Sequence, residues 1–528
     1  MLQRLVNNGH LLASFAAGAA TLLAYAPFGI WPVILLSFIV PLHFSQPQPP
    51  AAAAKTWFAY GLGKFCFGIS WVHVSIDTYG GLPIIVSLLI MLLLCAYLAL
   101  FSAASGYLLQ RLNPQHKPLP LLLLFAPIWT AFEWLRGTLL TGFPWLWEGY
   151  ALIDSPLALL ANSIGALGLT LLLVQLATGL YLFLKKQWSA VLLPVILLTI
   201  TFIVSNLNKP QLTEQQVDVV LVQGNIPQSL KWQPENLWPT MFKYLDLTRA
   251  DFDADIIVWP EAAIPAPMHM VSSFVANAHK AATFHEAALI TGIIAVENDT
   301  YFNRLITLGQ AASTPVRTSQ SLTEPERSIA IAPYINEYSG ADVATQNNQY
   351  DKHHLLPVGE FVPFEDWLRP LAPFFNLPMS SFARGDLVQP NLNAKGYQLL
   401  PAICYEIAFP EQLRANLTAN TDFLLTVSND AWFGESVGPV QHMQIAQMRA
   451  IELGRPLLRA TNNGVTAVVD SYGTIQKQIP QFETGVLRHK VNLVSGDTIF
   501  ARYGHWTVLL VSIILMIQGL RHSWSREP

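Results

Sequence analysis

The sequence predicts a multi-pass α-helical membrane domain joined to an α/β domain outside the bilayer. Three observations carry that expectation. Of 528 residues, 52% are hydrophobic and only 12% charged, against roughly 25% charged in soluble proteins. The charges are also segregated: 12 of the 64 Asp, Glu, Lys and Arg residues precede Lys209, 48 lie from Lys209 to Phe500, and 4 follow. Finally, the charge-poor regions break into runs long enough to cross a bilayer, whereas the charge-rich region alternates short apolar runs with amphipathic stretches.

Residues 5–54 contain no Asp, Glu, Lys or Arg and fit two spans turning at "APFG". Further spans are expected near 56–76, 82–110, 118–140, 157–184, 188–207 and 504–520, about eight in all. The apolar segments that follow the first span argue for a retained anchor, not a signal peptide. The expected divisions are 1–208 (membrane domain), 209–500 (soluble domain) and 501–528 (final span and short tail). A cytoplasmic N-terminus puts Arg4, Lys55, Arg111, Lys117, Lys185, Lys186, Arg521 and Arg526 on one side, as the positive-inside rule prefers. Both termini are then cytoplasmic and the insert faces outward. The connection "EWLRGTLLTGFPWLWEGYALIDSP" (133–156) mixes Glu133, Arg136 and Glu148 with Trp134, Trp145 and Trp147. It reads as an interfacial re-entrant arm or, more sharply, as an arm whose charges face a lipid or substrate under the soluble domain. Lys64, inside the third span, either snorkels to the surface or lines a polar cavity.

Within the insert, strands are expected at 217–224, 255–261, 288–294, 399–406 and 422–430, and helices at 235–250, 270–287 and 440–453. Such alternation builds a layered sheet with helices outside. The stretch 310–348 is polar and aperiodic, a loop. A net charge of −4 offers nothing to a nucleic acid. The cysteines are Cys66, Cys95 and Cys404. The first two lie in long apolar segments and read as packing residues. No CxxC pair points to a metal, and His353 and His354 lack an evident third ligand.

Cys404, in "LPAICYEIAFP" (400–410), is different because a strand-like run ends at it and an acid follows at Glu406. A catalytic thiol needs a base and a stabiliser for the oxyanion. Glu261 in "IVWPEAAIP" can take the thiol proton. Lys352 in "YDKHHLLPVGEFVPF" can stabilise an oxyanion and favour thiolate, with Glu360 holding the lysine. The Tyr405 N–H is placed to join an oxyanion hole, and Glu406 to orient the amine or the lysine. Each of these residues also has a bland reading as an ordinary loop acid or surface lysine.

Glu in "WPE", Lys before "PVGE" and Cys in "CYE", in that order, resemble the Glu-Lys-Cys triad of the nitrilase superfamily. The matching region spans roughly 215–490. A nitrilase-like domain between a seventh and an eighth span is similar to the bacterial apolipoprotein N-acyltransferase family, with support from "VQGNIPQSLKW", "VSNDAWFG" and "EWLRGTLLTGFPWL". Departures are mild: Val358 stands where the family often has an aromatic residue, and the 310–348 loop looks expanded.

The resemblance implies an α-β-β-α sandwich and ping-pong acyl transfer through a thioester on Cys404. The implied donor is a membrane phospholipid, with phosphatidylethanolamine expected; the implied acceptor is a diacylated apolipoprotein. No cofactor or metal is implied, and the protein is expected to be a monomer in the bacterial inner membrane with its catalytic domain periplasmic. Trp232, Asn429, Trp432, Arg136, Glu133 and Trp145 are then candidate substrate-binding residues, and "NLPMSSFARGD" (376–386) is a candidate lid. Two rivals are a membrane-tethered amidase using the same three residues and a transporter or receptor with an outer binding domain.

Overall fold

The computed structural model describes residues 9–309, 348–357, 359–361 and 382–524. The 310–348 loop apart from Asn348, Val358, the first part of the expected lid (376–381), Arg4 and Arg526 lie outside these residues.

The N-terminal region is a bundle of apolar helices: α1 (Gly9–Ala20), α2 (Pro32–Ser45), α3 (Pro50–Gly68), α4 (Ile84–Leu112), α5 (Pro118–Arg136), α6 (Ala161–Leu184) and α7 (Leu192–Leu207). Three of them start on proline, at Pro32, Pro50 and Pro118, where the missing N–H has no helical partner to lose. Five helices of the described residues are long and apolar enough to cross a membrane: Ile84–Leu112, Pro118–Arg136, Ala158–Leu184, Trp188–Leu207 and Trp506–Trp524. Gly9–Ala24 and Pro32–Ser45 are apolar but shorter. At 14 residues, α2 is about 21 Å long, less than a hydrocarbon core of about 30 Å.

The charge-rich insert forms two β-sheets. Its strands are β1 (Gln211–Gln223), β2 (Ile256–Val258), β3 (Ile264–Pro267), β4 (Ala288–Glu297), β5 (Thr300–Gly309), β6 (Gln349–Asp351), β7 (Leu392–Ala394), β8 (Tyr397–Ile403), β9 (Thr421–Ser428), β10 (Leu457–Thr461), β11 (Thr466–Val469), β12 (Ile475–Ile479) and β13 (Gly485–Ser495). One sheet runs β13-β1-β2-β4-β5-β6 with β3 beside β4; the other runs β12-β11-β10-β9-β8-β7. Alternation along each strand decides which face meets which layer. Val217, Val219 and Leu221 of β1 pack with Leu399 and Ile403 of β8 and Phe423, Leu425 and Val427 of β9 in the core between the sheets. Val220 and Val222 point the other way, toward α8 (Leu237–Thr248) and α9 (Ser272–Phe284).

On the outer face of the second sheet lies α11 (Gly438–Leu453), which follows the short α10 (Pro410–Asn416). Nearly every residue of α11 is buried, because the helix is covered twice: by the sheet on one side and by the bundle on the other. Leu400, Leu424, Met443, Ile451, Trp145 and Leu167 belong to one continuous core. The chain returns to the bundle as α12 (Trp506–Trp524), which packs on α5 and α6. The layers are helix, sheet, sheet, helix.

The expected strand at 399–406 is shorter than its apolar run, since β8 stops at Ile403 and Cys404–Ala408 form a 3-10 turn. Likewise β2 ends at Val258, before Glu261, and β9 at Ser428. In each case the sheet ends where the side chains turn from packing to polar partners.

Candidate active site

Cys404 is the first residue of the 3-10 turn after β8 and has φ of 54°. This left-handed conformation costs a residue with a Cβ about 1–2 kcal/mol, so the turn must be held by its surroundings. It also aims the half-buried side chain off the end of the strand. The Tyr405 N–H lies in the first turn, where N–H groups lack intrahelical acceptors.

Two short connections bring acid and amine to this turn. Glu261 follows β2; its Oε2 accepts the Asn429 N–H at 2.9 Å and its Oε1 accepts Asn303 Nδ2 at 2.8 Å. Lys352 follows β6, and its Nζ lies 2.8 Å from the Glu360 carboxylate and 3.5 Å from that of Glu261. Asn303 Nδ2 also reaches Glu360 Oε1 at 3.0 Å, tying both carboxylates to β5. Burial pushes the Lys352 ammonium down, but Glu360, Glu261 and Cys404 outweigh it and hold the pKa well above the usual lysine range. Burial first, then Glu261, pushes the Cys404 thiol up, against the opposing pull of Lys352. Burial thus favours the neutral sulfur, and the two carboxylates favour the charged amine, at a site shared with the hydrogen-bonded Glu261. That arrangement can pass a proton from sulfur to carboxylate as the sulfur attacks a carbonyl carbon.

Glu406 does not turn its carboxylate to the amine. It is fully buried and accepts from the N–H groups of Ile403 (2.7 Å), His353 (2.8 Å) and His354 (3.0 Å), from Gln412 Nε2 (2.7 Å) and from the Tyr350 hydroxyl (3.0 Å). Instead it ties the backbone beside Lys352 to the backbone beside Cys404. Burial pushes its pKa up, opposed by the His354 and Ile403 N–H groups, the Lys352 charge and Gln412.

The arm meets this turn from the membrane side. Trp145 is buried, donates Nε1 to Gln441 Oε1 at 2.7 Å and lies 6.5 Å, ring to ring, from Tyr405. The Tyr405 hydroxyl donates to the Gly142 carbonyl at 3.1 Å. Trp432 lies against Tyr79 of the 69–83 connection, 5.6 Å between rings, and its carbonyl accepts from Ser75 at 2.7 Å. Trp232 is half-buried at the end of the turn Gln228–Lys231. Asn429 does not offer a free amide: its Nδ2 donates to Gln228 Oε1 at 2.7 Å and its Oδ1 accepts from Asn462 at 2.9 Å.

Arg136 and Glu133, expected as possible lipid-facing charges, are only 1% and 2% exposed. Arg136 pairs with Glu133 and donates to the carbonyls of Phe143 and Trp145. Lys64 neither snorkels nor stands alone, since it bonds Glu148 and lies 3.8 Å from Glu133. These charges brace the arm internally, so the reading of open charges under the soluble domain is corrected.

Sequence reasoning missed Asn303, which sits on the unassigned strand β5, and the buried Lys231. Lys231 Nζ donates to the Glu261 carbonyl at 3.1 Å, and burial lowers its pKa to about 8 despite the pull of Glu261. Nothing in "QSLKW" separates this lysine from an exposed one. Also missed was a buried group beneath the nucleophile, formed by His442, Asp430 and Arg459.

The comparisons with known proteins bear on both halves of the chain. Residues 219–499 match the carbon-nitrogen hydrolase model, and residues 17–179 match the apolipoprotein N-acyltransferase N-terminal domain. The apolipoprotein N-acyltransferase of Shewanella oneidensis is 51% identical over 516 residues, covering 96% of this chain and 95% of that one. The chain belongs to the apolipoprotein N-acyltransferase family. Other family members are as fully covered. That of Photobacterium profundum is 49% identical over 96% of this chain and 93% of its own, and that of Vibrio cholerae is 49% identical over 93% of each. Both the helical bundle and the two-sheet domain are thus shared with the family.

Proposed function

We propose that this chain transfers a fatty acyl group from a membrane phospholipid to the N-terminal amine of a diacylated apolipoprotein, through a thioester on Cys404. The observation that carries this reading is the convergence of Glu261 and Lys352 on a thiol held at positive φ, next to helices long enough to cross a bilayer. Family membership supports the same reaction.

In the first half-reaction Cys404 attacks the acyl ester carbon while Glu261 takes the thiol proton. The oxyanion is stabilised by Lys352 and the Tyr405 N–H. As the tetrahedral intermediate collapses, the ester C–O bond breaks and Glu261 returns the proton to the departing lysophospholipid alkoxide. In the second, the acceptor α-amine attacks the thioester, the C–S bond breaks, and an amide forms with regeneration of the thiol. Glu360 holds Lys352, and Glu406 holds the backbone around it. Trp232 and Trp432 line the approach, while Trp145, expected to bind substrate, is buried and packs the arm against α11, and Asn429 supports Glu261 through its main chain. Arg136 and Glu133 support the arm.

The topology proposed with this reaction has eight spans, divisions at 208 and 500, both termini in the cytoplasm and the catalytic domain in the periplasm of the inner membrane. Phosphatidylethanolamine is the proposed donor and a monomer the proposed active form. Intact-protein mass spectrometry after incubation with phosphatidylethanolamine tests the first half-reaction. A hydroxylamine-sensitive acyl adduct, absent in Cys404→Ser, is expected. A diacylated lipopeptide added next should gain that acyl group. Release of free fatty acid with no lipopeptide acylation would instead favour the hydrolytic rival.

A further inference from the structure

The positive φ at Cys404 must be stabilised by something other than the residue itself, and the structure offers a specific holder. His442, on α11, places Nε2 3.1 Å from the Cys404 carbonyl oxygen. A carbonyl only accepts, so Nε2 carries the proton. On the other side of the ring, Nδ1 lies 3.1 Å from Arg459 Nη2 and 3.0 Å from Asp430 Oδ1. The Asp430 carboxylate already accepts from Arg459 at 2.8 Å and from the Ser428 hydroxyl. Burial and then Arg459 push the histidine pKa down, while Asp430 and the Cys404 carbonyl pull it up; Nδ1 meets both a donor and an acceptor, whereas Nε2 faces an acceptor and donates to it. All three side chains are fully shielded from solvent, so water cannot substitute for any of them.

The same ring touches the membrane arm. Trp145 lies 5.7 Å from His442, centroid to centroid, and Gln441, the preceding residue on α11, accepts from both Trp145 (2.7 Å) and Trp71 (3.3 Å). Its own Nε2 donates to the Gly68 carbonyl at 3.2 Å. The turn of α11 that carries His442 is therefore pinned by three bundle segments on one side and bonded to the nucleophile's backbone on the other.

We propose that His442 is a positioning residue: through Nε2–H it holds the Cys404 carbonyl, and through it the strained turn, in register with the membrane arm. It contacts no substrate atom in this assignment. The inference rests on Cys404 being the acylated thiol. A displacement of the nucleophile by about 1 Å can cost 10²-fold in rate.

The test uses the full-length enzyme in phospholipid nanodiscs and measures acylation of Cys404 by mass spectrometry against donor concentration. His442→Leu removes the donor and should lower kcat by about 100-fold with little change in KM. His442→Gln, whose amide N–H can reach the same carbonyl, should recover most of that loss. A general loss of packing would give no such preference for Gln over Leu. If His442→Leu does not fold, the comparison is made between His442→Gln and His442→Asn, whose shorter amide cannot reach. Selective ¹⁵N-histidine spectra of the wild-type protein, with His442→Gln giving the assignment, should show the proton on Nε2. Wild-type rates in the donor-less variant, equal loss in both members of the pair, or a proton on Nδ1 alone would overturn the inference. A wild-type protein that forms no adduct at Cys404 would remove the acyl-transfer reading together with it, whereas normal wild-type acylation with an indifferent His442 removes only the positioning role.

Discussion

Two buried clusters in this molecule have nearly the same composition and opposite consequences. In the soluble domain Lys352 sits between Glu360 and Glu261. In the bundle Lys64 sits between Glu148 and Glu133, with Arg136 closing the group. Each lysine is 1% exposed. The difference is what remains for a fourth partner. The soluble cluster faces a half-buried thiol whose charge state it influences. The bundle cluster meets its own arm, with Trp129 donating to Glu148 at 3.2 Å and Arg136 to main-chain carbonyls. Buried charge of the same make-up thus serves chemistry where a reactive atom adjoins it and anchors structure where the network closes.

The sharpest way to break this comparison is to remove the reactive atom. Cys404→Ala should abolish acyl transfer, a loss on the order of 10⁵-fold or more, with thermal unfolding little changed; lipopeptide acylation reads it. Next comes the acid. Glu261→Gln should slow thiol acylation by roughly 10²–10⁴-fold, the usual worth of a positioned base, and the single-turnover rate checks this. Lys352→Met should cost roughly 10²–10³-fold in the same assay through lost oxyanion stabilisation.

The bundle cluster should answer the other way. Lys64→Met leaves the fully buried Glu148 without its cation and is expected to destabilise the protein by about 3–5 kcal/mol. Unfolding in detergent should show the loss, while acylation per folded molecule falls far less than in Glu261→Gln. An equal fall in both would erase the distinction between the clusters.

The smallest effect concerns Lys231. Its pKa is lowered to about 8 by burial, from an ordinary value near 10.4. Between these values the unfolded chain binds more protons than the native one, so stability rises with pH through this window. The penalty is fully present below about pH 8 and relieved as the pH approaches 10.4, roughly 3 kcal/mol across the window. Comparing unfolding of Lys231→Met with wild type at pH 7.5 and pH 10 should show the variant's advantage shrinking.

Much of the fold was legible because its signals are local. Hydrophobic run length marked α4 through α7 and α12, and short apolar runs marked β1, β4 and β9. Strands such as β5 and β13 were not assigned, because their polar and charged residues break the apolar runs that pick out a strand. Glu261 and Cys404 were legible because each ends an apolar run with a polar group that packing alone does not require, and Lys352 because it stands between a polar loop and an apolar run, ahead of "PVGE". Asn303, Lys231 and His442 were not, since a buried hydrogen bond leaves no trace in the neighbouring letters.

Composition and periodicity therefore determined, without any structure, that a helical bundle carries a layered α/β domain, and the motif around Cys404 marked the thiol to watch. These properties depend on residues close together in the chain. Tertiary structure alone decided that Glu406 clamps backbone instead of amine, that Glu133 and Arg136 brace the arm, and that α11 is buried between sheet and bundle. Those outcomes depend on hydrogen bonds and contacts between segments up to several hundred residues apart, whose partners are chosen only when the layers close.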